Sequence, residues 1–220
     1  MPALLIGSIS ALVDTSEIQR GSFNEAFAQH GLDWNWERDD YRNLLTSNGG
    51  KQRIADFAKE QNEDVDADAV HATKSSIFQK HLANAGIKTR PGIIDAIRAA
   101  KGRGWEVGLV TTTADDNITA LLDGLDELSR DDFDVVTDVT SVQESKPAGA
   151  VYEYAVEQLG EQAGECVAIE DNVGGVRAAT AAGIPVVAFP NENTAGHDFG
   201  STPVTHHVDF DELASMAAGH

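Results

Sequence analysis

Short runs of apolar and β-branched residues alternate along the chain with longer segments in which apolar residues recur at helical spacing. The runs predict strands over residues 4–8, 106–111, 135–138, 165–169 and 186–189. The segments between the later runs predict helices over residues 92–101, 117–122, 148–159 and 175–182. This alternation is typical of an α/β fold in which helices cover both faces of a Rossmann-like parallel sheet.

One long stretch after the first predicted strand departs from this alternation. It has no convincing strand pattern, and its amphipathic segments, around residues 17–30, 38–45, 51–61 and 67–85, predict a helical bundle. We therefore divide the chain into an α/β core, residues 1–14 and 88–220, and an inserted helical cap, residues 15–87. The cap is expected to cover the carboxyl ends of the strands, where open α/β sheets bind their ligands.

Acidic residues outnumber basic ones by 36 to 16, which gives a formal net charge of −20. This charge repels phosphodiester backbones and anionic lipids, so we discount nucleic acids and membrane surfaces as partners. A small anionic ligand would need cations concentrated locally around it. No run approaches the roughly 20 apolar residues of a membrane-spanning helix, and a basic signal-peptide pattern is absent. The expectation is a cytoplasmic protein, with a monomer as the working oligomeric state.

Polar side chains follow or precede several of the predicted elements. Thr111 ends the second predicted strand. Lys146 stands before a predicted helix, with Pro147 in its first turn. Glu170 and Asp171 follow the fourth predicted strand. Taken singly, these are ordinary turn, helix-start and N-cap residues, but their order at one edge of the sheet favours a common functional site.

These segments together resemble the haloacid dehalogenase superfamily over nearly the whole chain. The similarity is to the CbbY-type group of sugar-phosphate phosphatases, which is related to β-phosphoglucomutase. The predicted cap carries the motifs Glu17-Ile18-Gln19-Arg20, Phe23-Asn24-Glu25-Ala26-Phe27, His30-Gly31-Leu32-Asp33-Trp34 and Gly49-Gly50-Lys51-Gln52-Arg53. The core continues the resemblance with Lys88-Thr89-Arg90-Pro91-Gly92 and Val110-Thr111-Thr112-Thr113.

The resemblance implies a catalytic motif at the end of the first strand that this chain does not contain. Such enzymes carry Asp-x-Asp-Gly-Thr-Leu there, with the first aspartate attacking phosphorus and the second protonating the leaving oxygen. Alignment on Leu12 and Asp14 places Gly7 at the nucleophile position and Ile9 at the general-acid position. Shifting the alignment restores neither aspartate, because Asp14 matches the acidic residue that commonly follows the motif and no other aspartate lies in this segment.

The resemblance also implies roles for residues that are present. Thr111 and Thr112 correspond to phosphate-binding positions, and Lys146 to the ammonium that offsets the phosphate charge. Glu170 and Asp171 correspond to ligands of Mg²⁺, an ion that prefers oxygen donors and bridges to phosphate. The cap residues that match positions facing the sugar phosphate are Glu17, Arg20, Lys51 and Arg53.

Two functions remain open on this sequence. In the favoured one, the chain is a degenerate phosphatase, a pseudoenzyme that binds a phosphorylated sugar or a protein partner without turnover. In the alternative, it is an active Mg²⁺-dependent phosphohydrolase that uses water oriented by a metal on Glu170 and Asp171. Loss of the first-strand carboxylate should weaken metal binding, and Lys146 is then expected to face Glu170 and Asp171 directly, with a salt bridge in place of the metal. Ser8 and Ser10 offer hydroxyls, but the sequence reveals no base to activate either.

Overall fold

The computed structural model describes residues 1–46 and 49–217. Within these residues, five strands form one sheet in the order β3-β2-β1-β4-β5, and every neighbouring pair is parallel. The strands are β1 (Ala3–Ile6), β2 (Glu106–Leu109), β3 (Val135–Val136), β4 (Val167–Glu170) and β5 (Val186–Ala188). The predicted α/β fold is confirmed, and each strand is slightly shorter than the apolar run that predicts it.

Helices occupy the segments between the strands and the predicted cap. In chain order they are α1 (Ile9–Leu12), α2 (Ser16–Gln29), α3 (Arg38–Leu44), α4 (Gly50–Gln61), α5 (Ala67–Asn84), α6 (Ile93–Gly102), α7 (Asp115–Asp123), α8 (Ala150–Leu159), α9 (Val173–Ala181) and α10 (Phe210–Ala217). Across residues 1–46 and 49–217, none of them combines the length and the apolar character that a membrane crossing requires.

Two local features differ from the sequence prediction. The one-turn helix α1 is an addition, and it forms because Ser8 Oγ accepts hydrogen bonds from Ser10 N and Ala11 N at its start. Pro147 does not lie in the first turn of α8, as predicted, but in a turn that precedes the N-cap residue Gly149. Lys146 therefore stands outside the helix, on a connection between β3 and α8.

The central strand β1 is buried on both faces, because successive side chains of a strand point to opposite sides. Leu4 and Ile6 join an apolar cluster with residues of α1, α6, α7 and α10. Ala3 and Leu5 join a second cluster with residues of α8 and α9. These four side chains are at most 1% exposed, as is typical of parallel sheets covered by helices on both sides.

The cap helices α2, α3, α4 and α5 have an aromatic core of their own. The ring centre of Trp36 lies 4.7 Å from that of Phe27 and 4.9 Å from that of Phe23. Trp34 and Tyr41 are buried in the same cluster. A helical cap region is thus present, while the exact limits given to core and cap, residues 14 and 88, stay a prediction.

Contacts of the cap and of the segment that follows it place the cap over the carboxyl ends of the strands. Gln79 Nε2 in α5 donates to Asn117 Oδ1 in α7 at 2.9 Å. Arg90, which follows the cap, donates to the carbonyl oxygens of Phe189 and Pro190 after β5, each at 2.6 Å. The Arg90 guanidinium also stacks 3.5 Å from the centre of the Phe189 ring. The cap therefore lies where the ligand site of an open α/β sheet is expected.

We expect salt to stabilise this fold because of its net charge of −20. Acidic side chains repel one another in the compact state, and the Debye length falls from about 10 Å in 0.1 M salt to about 3 Å in 1 M salt. The Tm in 1 M KCl should be higher than the Tm in 0.1 M KCl. Each kcal/mol of repulsion that the salt removes should raise the Tm by about 2–4 °C. An unchanged or lower Tm, with sucrose as the non-ionic control, would contradict this expectation.

Candidate active site

Residues predicted for the site meet at the carboxyl ends of three neighbouring strands. The sheet order places β1 between β2 and β4. Gly7 follows β1, Thr111 lies just beyond β2, and Glu170 is the last residue of β4. The segments that the sequence analysis combined are therefore adjacent in space.

The threonines after β2 form an ordered turn. Thr111 N donates to Thr137 Oγ1 at 2.9 Å, and Thr137 Oγ1 donates back to the Thr111 carbonyl oxygen at 2.8 Å. Thr111 Oγ1 accepts a hydrogen bond from Thr113 N at 3.2 Å. Thr111 is buried and Thr112 is half-buried beside it. The predicted phosphate-binding residues thus lie at the site, with the Thr111 hydroxyl fixed by its own turn.

The Lys146 ammonium lies at the centre of the site and is only 6% exposed. It donates to the carbonyl oxygens of Gly7 and of Val110, the latter at 2.9 Å. It also forms an ion pair with Glu170 Oε1 at 2.5 Å. The expected salt bridge is confirmed for Glu170, while Asp171 binds other partners. The Lys146 contacts link the ends of β1, β2 and β4.

The Glu170 carboxyl group is fully buried and is also bonded to a tyrosine. Tyr152 Oη in α8 donates to Glu170 Oε1 at 2.8 Å. Burial raises the pKa of Glu170, the charge of Asp171 adds to this increase, and the Lys146 ammonium offsets it only in part. Burial and the Glu170 carboxyl likewise raise the pKa of Tyr152 well above its ordinary value. The tyrosine is therefore a hydrogen-bond donor here and not a base.

Glu170 occupies the space beside Gly7 in which a longer side chain would begin. A Cβ atom added to Gly7 would lie 2.3 Å from Glu170 Cδ, from Glu170 Oε1 and from Tyr152 Oη. A Cβ added to Gly175 in α9 would lie 2.0 Å from Glu170 Cδ. These distances are far below a normal van der Waals contact. The Glu170 position therefore requires glycine on both sides of it.

Asp171 is held by neutral donors. Its Oδ1 accepts from Ser8 Oγ at 2.6 Å and from Asn172 Nδ2 at 2.9 Å. Its Oδ2 accepts from Asn191 Nδ2 at 2.7 Å, and its carbonyl oxygen accepts from Thr194 Oγ1 at 2.6 Å. Both carboxylate oxygens of this buried residue thus have partners within the protein.

These contacts do not leave a donor set that fits Mg²⁺, which takes six oxygens in near-octahedral geometry. Glu170 is directed at Lys146, both oxygens of Asp171 are engaged, and β1 is followed by Gly7 instead of a carboxylate. In the parts of the chain that the structure describes, no three His, Cys, Asp or Glu side chains are grouped closely enough to hold a metal ion.

Glu17 and Arg20 lie at the seam between cap and core, where they bind each other. Arg20 donates to Glu17 Oε2 at 2.9 Å, and Arg38 does so at 3.1 Å. Asn193, in the loop after β5, donates to Glu17 Oε1 at 2.6 Å. Burial tends to raise the pKa of Glu17, but these hydrogen bonds outweigh it and lower the pKa to about 2. Glu17 therefore stays ionised and ties the cap to the core.

The other two predicted cap residues differ in position. Lys51 is more than half exposed and forms an ion pair with Asp68 at 2.5 Å, on the surface of the cap. Arg53 is buried at 7% exposure, and its Nε donates to the Leu44 carbonyl oxygen at 3.0 Å. Its guanidinium carbon lies 5.9 Å from the centre of the Tyr41 ring. Only Arg53 of this pair is part of the cap interior.

Lys74 is a buried cation that the sequence analysis did not identify. Its ammonium, in α5, is 4% exposed, donates to Gln19 Oε1 at 3.2 Å and lies 4.7 Å from the ring centres of both Phe23 and Phe78. Burial, together with the charge of Arg53, lowers the pKa of Lys74 to about 7.

A second basic side chain stands beside Lys74. Burial lowers the pKa of His71 to about 4, and the charges of Lys74 and Arg53 add to this effect. We call Arg53 and Lys74, together with His71, whose low pKa leaves it neutral at pH 7, the cap cation cluster. Gln19 links this cluster to α1, because it accepts a hydrogen bond from Lys74 and its Nε2 donates to Ser10 Oγ at 3.3 Å.

Comparison with known proteins identifies the wider group. A family model of haloacid dehalogenase-like hydrolases matches residues 10–183. The CbbY protein of Cereibacter sphaeroides is 37% identical over 201 residues, which cover 90% of this chain and 87% of that protein. The plasmid CbbY protein of Cupriavidus necator is 37% identical over 210 residues, with 90% and 82% covered.

Solved structures give the same result. CbbY from Rhodobacter sphaeroides in complex with phosphate superposes with a TM-score of 0.88 at 35% identity, covering 97% of this chain and 96% of that one. A variant of that protein with asparagine in place of an aspartate, in complex with xylulose-(1,5)-bisphosphate, gives a TM-score of 0.87 at 35% identity and covers 93% of each chain.

We predict that Lys146→Met destabilises the protein by about 3–5 kcal/mol at pH 7, because it leaves a buried carboxylate unpaired. Urea unfolding measures this loss, with the exposed Lys101→Met as matched control. The double variant Lys146→Met, Glu170→Gln should lose less than the sum of the single variants.

The loss should also depend on pH. The folded-state pKa of Glu170 is raised above its ordinary value of 4.5, and removal of Lys146 raises it further. A carboxyl with a raised folded pKa loses stability as pH rises from the unfolded pKa to the folded one, so the deficit should shrink as pH falls towards 4.5. A small, pH-independent deficit would contradict the buried ion pair.

Proposed function

Because the chain belongs to the haloacid dehalogenase-like hydrolase family and is a homologue of the CbbY group of sugar-phosphate phosphatases, we propose that it binds a phosphorylated sugar with its phosphatase chemistry impaired. The observation that carries the proposal is the space beside Gly7, which Glu170 and Tyr152 fill. An attacking carboxylate at the end of β1 is absent from the sequence and has no room in this arrangement.

The general acid is missing as well. Ile9 stands at the corresponding position, is 5% exposed and packs in the apolar cluster below the sheet edge. Its side chain has no proton to give, and general acid–base catalysis contributes about 10²–10⁴ in rate. Without covalent catalysis, a single difficult displacement replaces two easier steps. The two losses together favour binding over turnover.

Ser8 does not replace the nucleophile. Its Oγ donates to Asp171 Oδ1 and accepts from Ser10 N and Ala11 N, so both of its lone pairs are used. The same hydroxyl caps α1. The Asp171 carboxylate is a base beside Ser8 that the sequence did not reveal, but a hydroxyl with no free lone pair supports a structural role.

Metal-oriented water is the alternative mechanism, and the contacts oppose it. Phosphatases of this family typically use Mg²⁺, and the alternative needs Glu170 and Asp171 to face one ion. Glu170 instead faces Lys146, and Asp171 is held by Ser8 and Asn191. We therefore retain the binding function as the proposal.

Support for ligand binding comes from the cap. In the cap cation cluster, Arg53 and Lys74 are buried and His71 is half-buried. The chain as a whole is strongly acidic, so local cations are needed to attract an anion. A related CbbY with an altered aspartate is known in complex with xylulose-(1,5)-bisphosphate. A protein with this fold and an asparagine in place of an aspartate thus holds a sugar bisphosphate, and we propose the same ligand class here.

We predict no phosphatase activity above that of the Thr111→Ala variant when p-nitrophenyl phosphate and sugar phosphates are assayed with Mg²⁺. The rate should be lower than that of an active relative by several powers of ten, since both aspartates are missing. Mg²⁺-dependent turnover that disappears in Asp171→Ala would refute the impairment and favour the alternative. The Gly7→Asp, Ile9→Asp double variant tests whether the motif alone limits the rate.

We also predict that calorimetric titration detects binding of a pentulose bisphosphate and that Lys74→Met weakens it at least about tenfold, a loss of ~1.4 kcal/mol. The exposed Lys80→Met, on the same helix, is the matched control. Because the pKa of Lys74 is about 7, its charge is lost as pH rises, so affinity should fall between pH 7 and pH 9. Phosphate monoesters are already dianions in this range. No heat at millimolar ligand would contradict binding.

A further inference from the structure

We propose that the Lys146 ammonium takes the place of the divalent cation in this chain, so that the core of the site is complete and charge-balanced without a metal. The proposal goes beyond the proposed function, because it concerns the core side of the site, around Lys146. It does not depend on which ligand the cap binds. It rests on the mismatch between the donor set and Mg²⁺ described above.

The ammonium is fully coordinated by protein oxygens. Lysine has three N–H donors, and Lys146 directs one to the Gly7 carbonyl, one to the Val110 carbonyl and one to the Glu170 carboxylate. Backbone carbonyls and carboxylates are also the donors that hard divalent cations take. A buried cation with oxygen ligands from three strand ends thus already stands at this edge of the sheet.

Glu170 is committed to this cation by its surroundings. The missing side chain at Gly7 leaves the space for its carboxyl group, and Gly175 leaves the space on the opposite side. Tyr152 Oη adds a hydrogen bond to Oε1, the same oxygen that pairs with Lys146. Glu170 Oε2 is buried, and among the described residues it has no hydrogen-bond partner. It lies against Gly175, and one such oxygen is too few to hold a divalent ion.

Asp171 does not supply the missing ligands. Its Oδ1 already accepts two hydrogen bonds, from Ser8 Oγ and Asn172 Nδ2, and its Oδ2 accepts one from Asn191 Nδ2. This leaves one carboxylate lone pair for a metal, which is too few to replace the absent first-strand carboxylate. The charge balance also favours the ammonium, since Lys146 already neutralises one of the two adjacent carboxylates. Metal affinity falls as the number of charged ligands falls. The substitution of Gly7 for a carboxylate therefore removes a metal ligand and at the same time admits the carboxylate that binds Lys146.

The test uses Mn²⁺ as a paramagnetic substitute for Mg²⁺. Electron paramagnetic resonance titration of the wild-type chain should detect only weak binding of Mn²⁺ to the acidic surface, whose net charge is −20. The stoichiometry should be the same as for the Asp171→Asn variant. NaCl at matched ionic strength controls for surface screening. One additional Mn²⁺ per wild-type chain, bound with a dissociation constant below about 0.1 mM and lost in Asp171→Asn, would overturn the proposal.

Two variants test whether a metal site appears when the Lys146–Glu170 pair is disrupted. Gly7→Asp should displace Glu170 and add a carboxylate, and Lys146→Met should remove the resident cation. Either variant should gain one Mn²⁺ site that is absent from the wild type and that disappears when Asp171→Asn is added. If Lys146→Met does not fold, Gly7→Asp and the wild-type titration still decide. Folded Gly7→Asp and Lys146→Met variants that both gain no site would count against the proposal.

These measurements are separate from those on the sugar ligand. Wild-type chain that binds a pentulose bisphosphate without a Mn²⁺ site supports both proposals. If the wild-type chain shows neither ligand binding nor a Mn²⁺ site, the sugar-ligand proposal is wrong and the proposal for Lys146 stands. A tight Mn²⁺ site in the wild-type chain contradicts the proposal for Lys146, whatever result the ligand titration gives.

Discussion

The buried ion pair between Lys146 and Glu170 fixes the geometry of the whole site. Removing two opposite charges from water is costly, and the cost is offset only when the geometry is good and the remaining hydrogen bonds are satisfied. Lys146 meets this condition because each of its three donors has an oxygen partner. Glu170 meets it at Oε1, which Lys146 and Tyr152 both contact, while Oε2 has no hydrogen-bond partner among the described residues. Those partners belong to the ends of β1, β2 and β4, so the pair sets the spacing of the strand ends. The position of Thr111, one residue after Val110, depends on the same contact.

The loop after β5 connects the cap to the core side of the site. Asn191 binds the Asp171 carboxylate and Thr194 binds its carbonyl oxygen. Two residues on from Asn191, Asn193 binds Glu17 in α2. Glu17 in turn holds Arg20, whose Nη1 donates to the Trp36 carbonyl oxygen at 3.0 Å, at the edge of the aromatic core of the cap. A continuous chain of hydrogen bonds therefore runs from β4 to the cap interior, and substitutions in this loop should affect cap orientation as well as the site.

The strands and most helices could be predicted because they depend on local patterns. Apolar runs mark buried strands, and helical spacing marks the cap segments. The Lys146–Glu170 contact could also be anticipated, since it follows from a missing carboxylate beside two known partners. By contrast, the space beside Gly7 results from three segments distant in sequence, so its occupation by Glu170 and Tyr152 could be read only from the fold.

The cap residues illustrate the same limit. Lys51 matches a family motif, yet an acidic residue on the next helix, Asp68, pairs with it at the surface. Lys74 lies outside the family motifs, and a lysine on an amphipathic helix is normally expected on the solvent-exposed face. A signal was nevertheless present, because Lys74 lies four residues after Val70 and four before Phe78, on the buried face of α5. In the core, Lys146 is paired with the Glu170 carboxylate, whereas Arg53 and Lys74 bring two buried basic side chains together in the cap interior. Under the proposed function, the cap therefore recognises the anion, and the core supplies the rigid surface against which the cap is positioned.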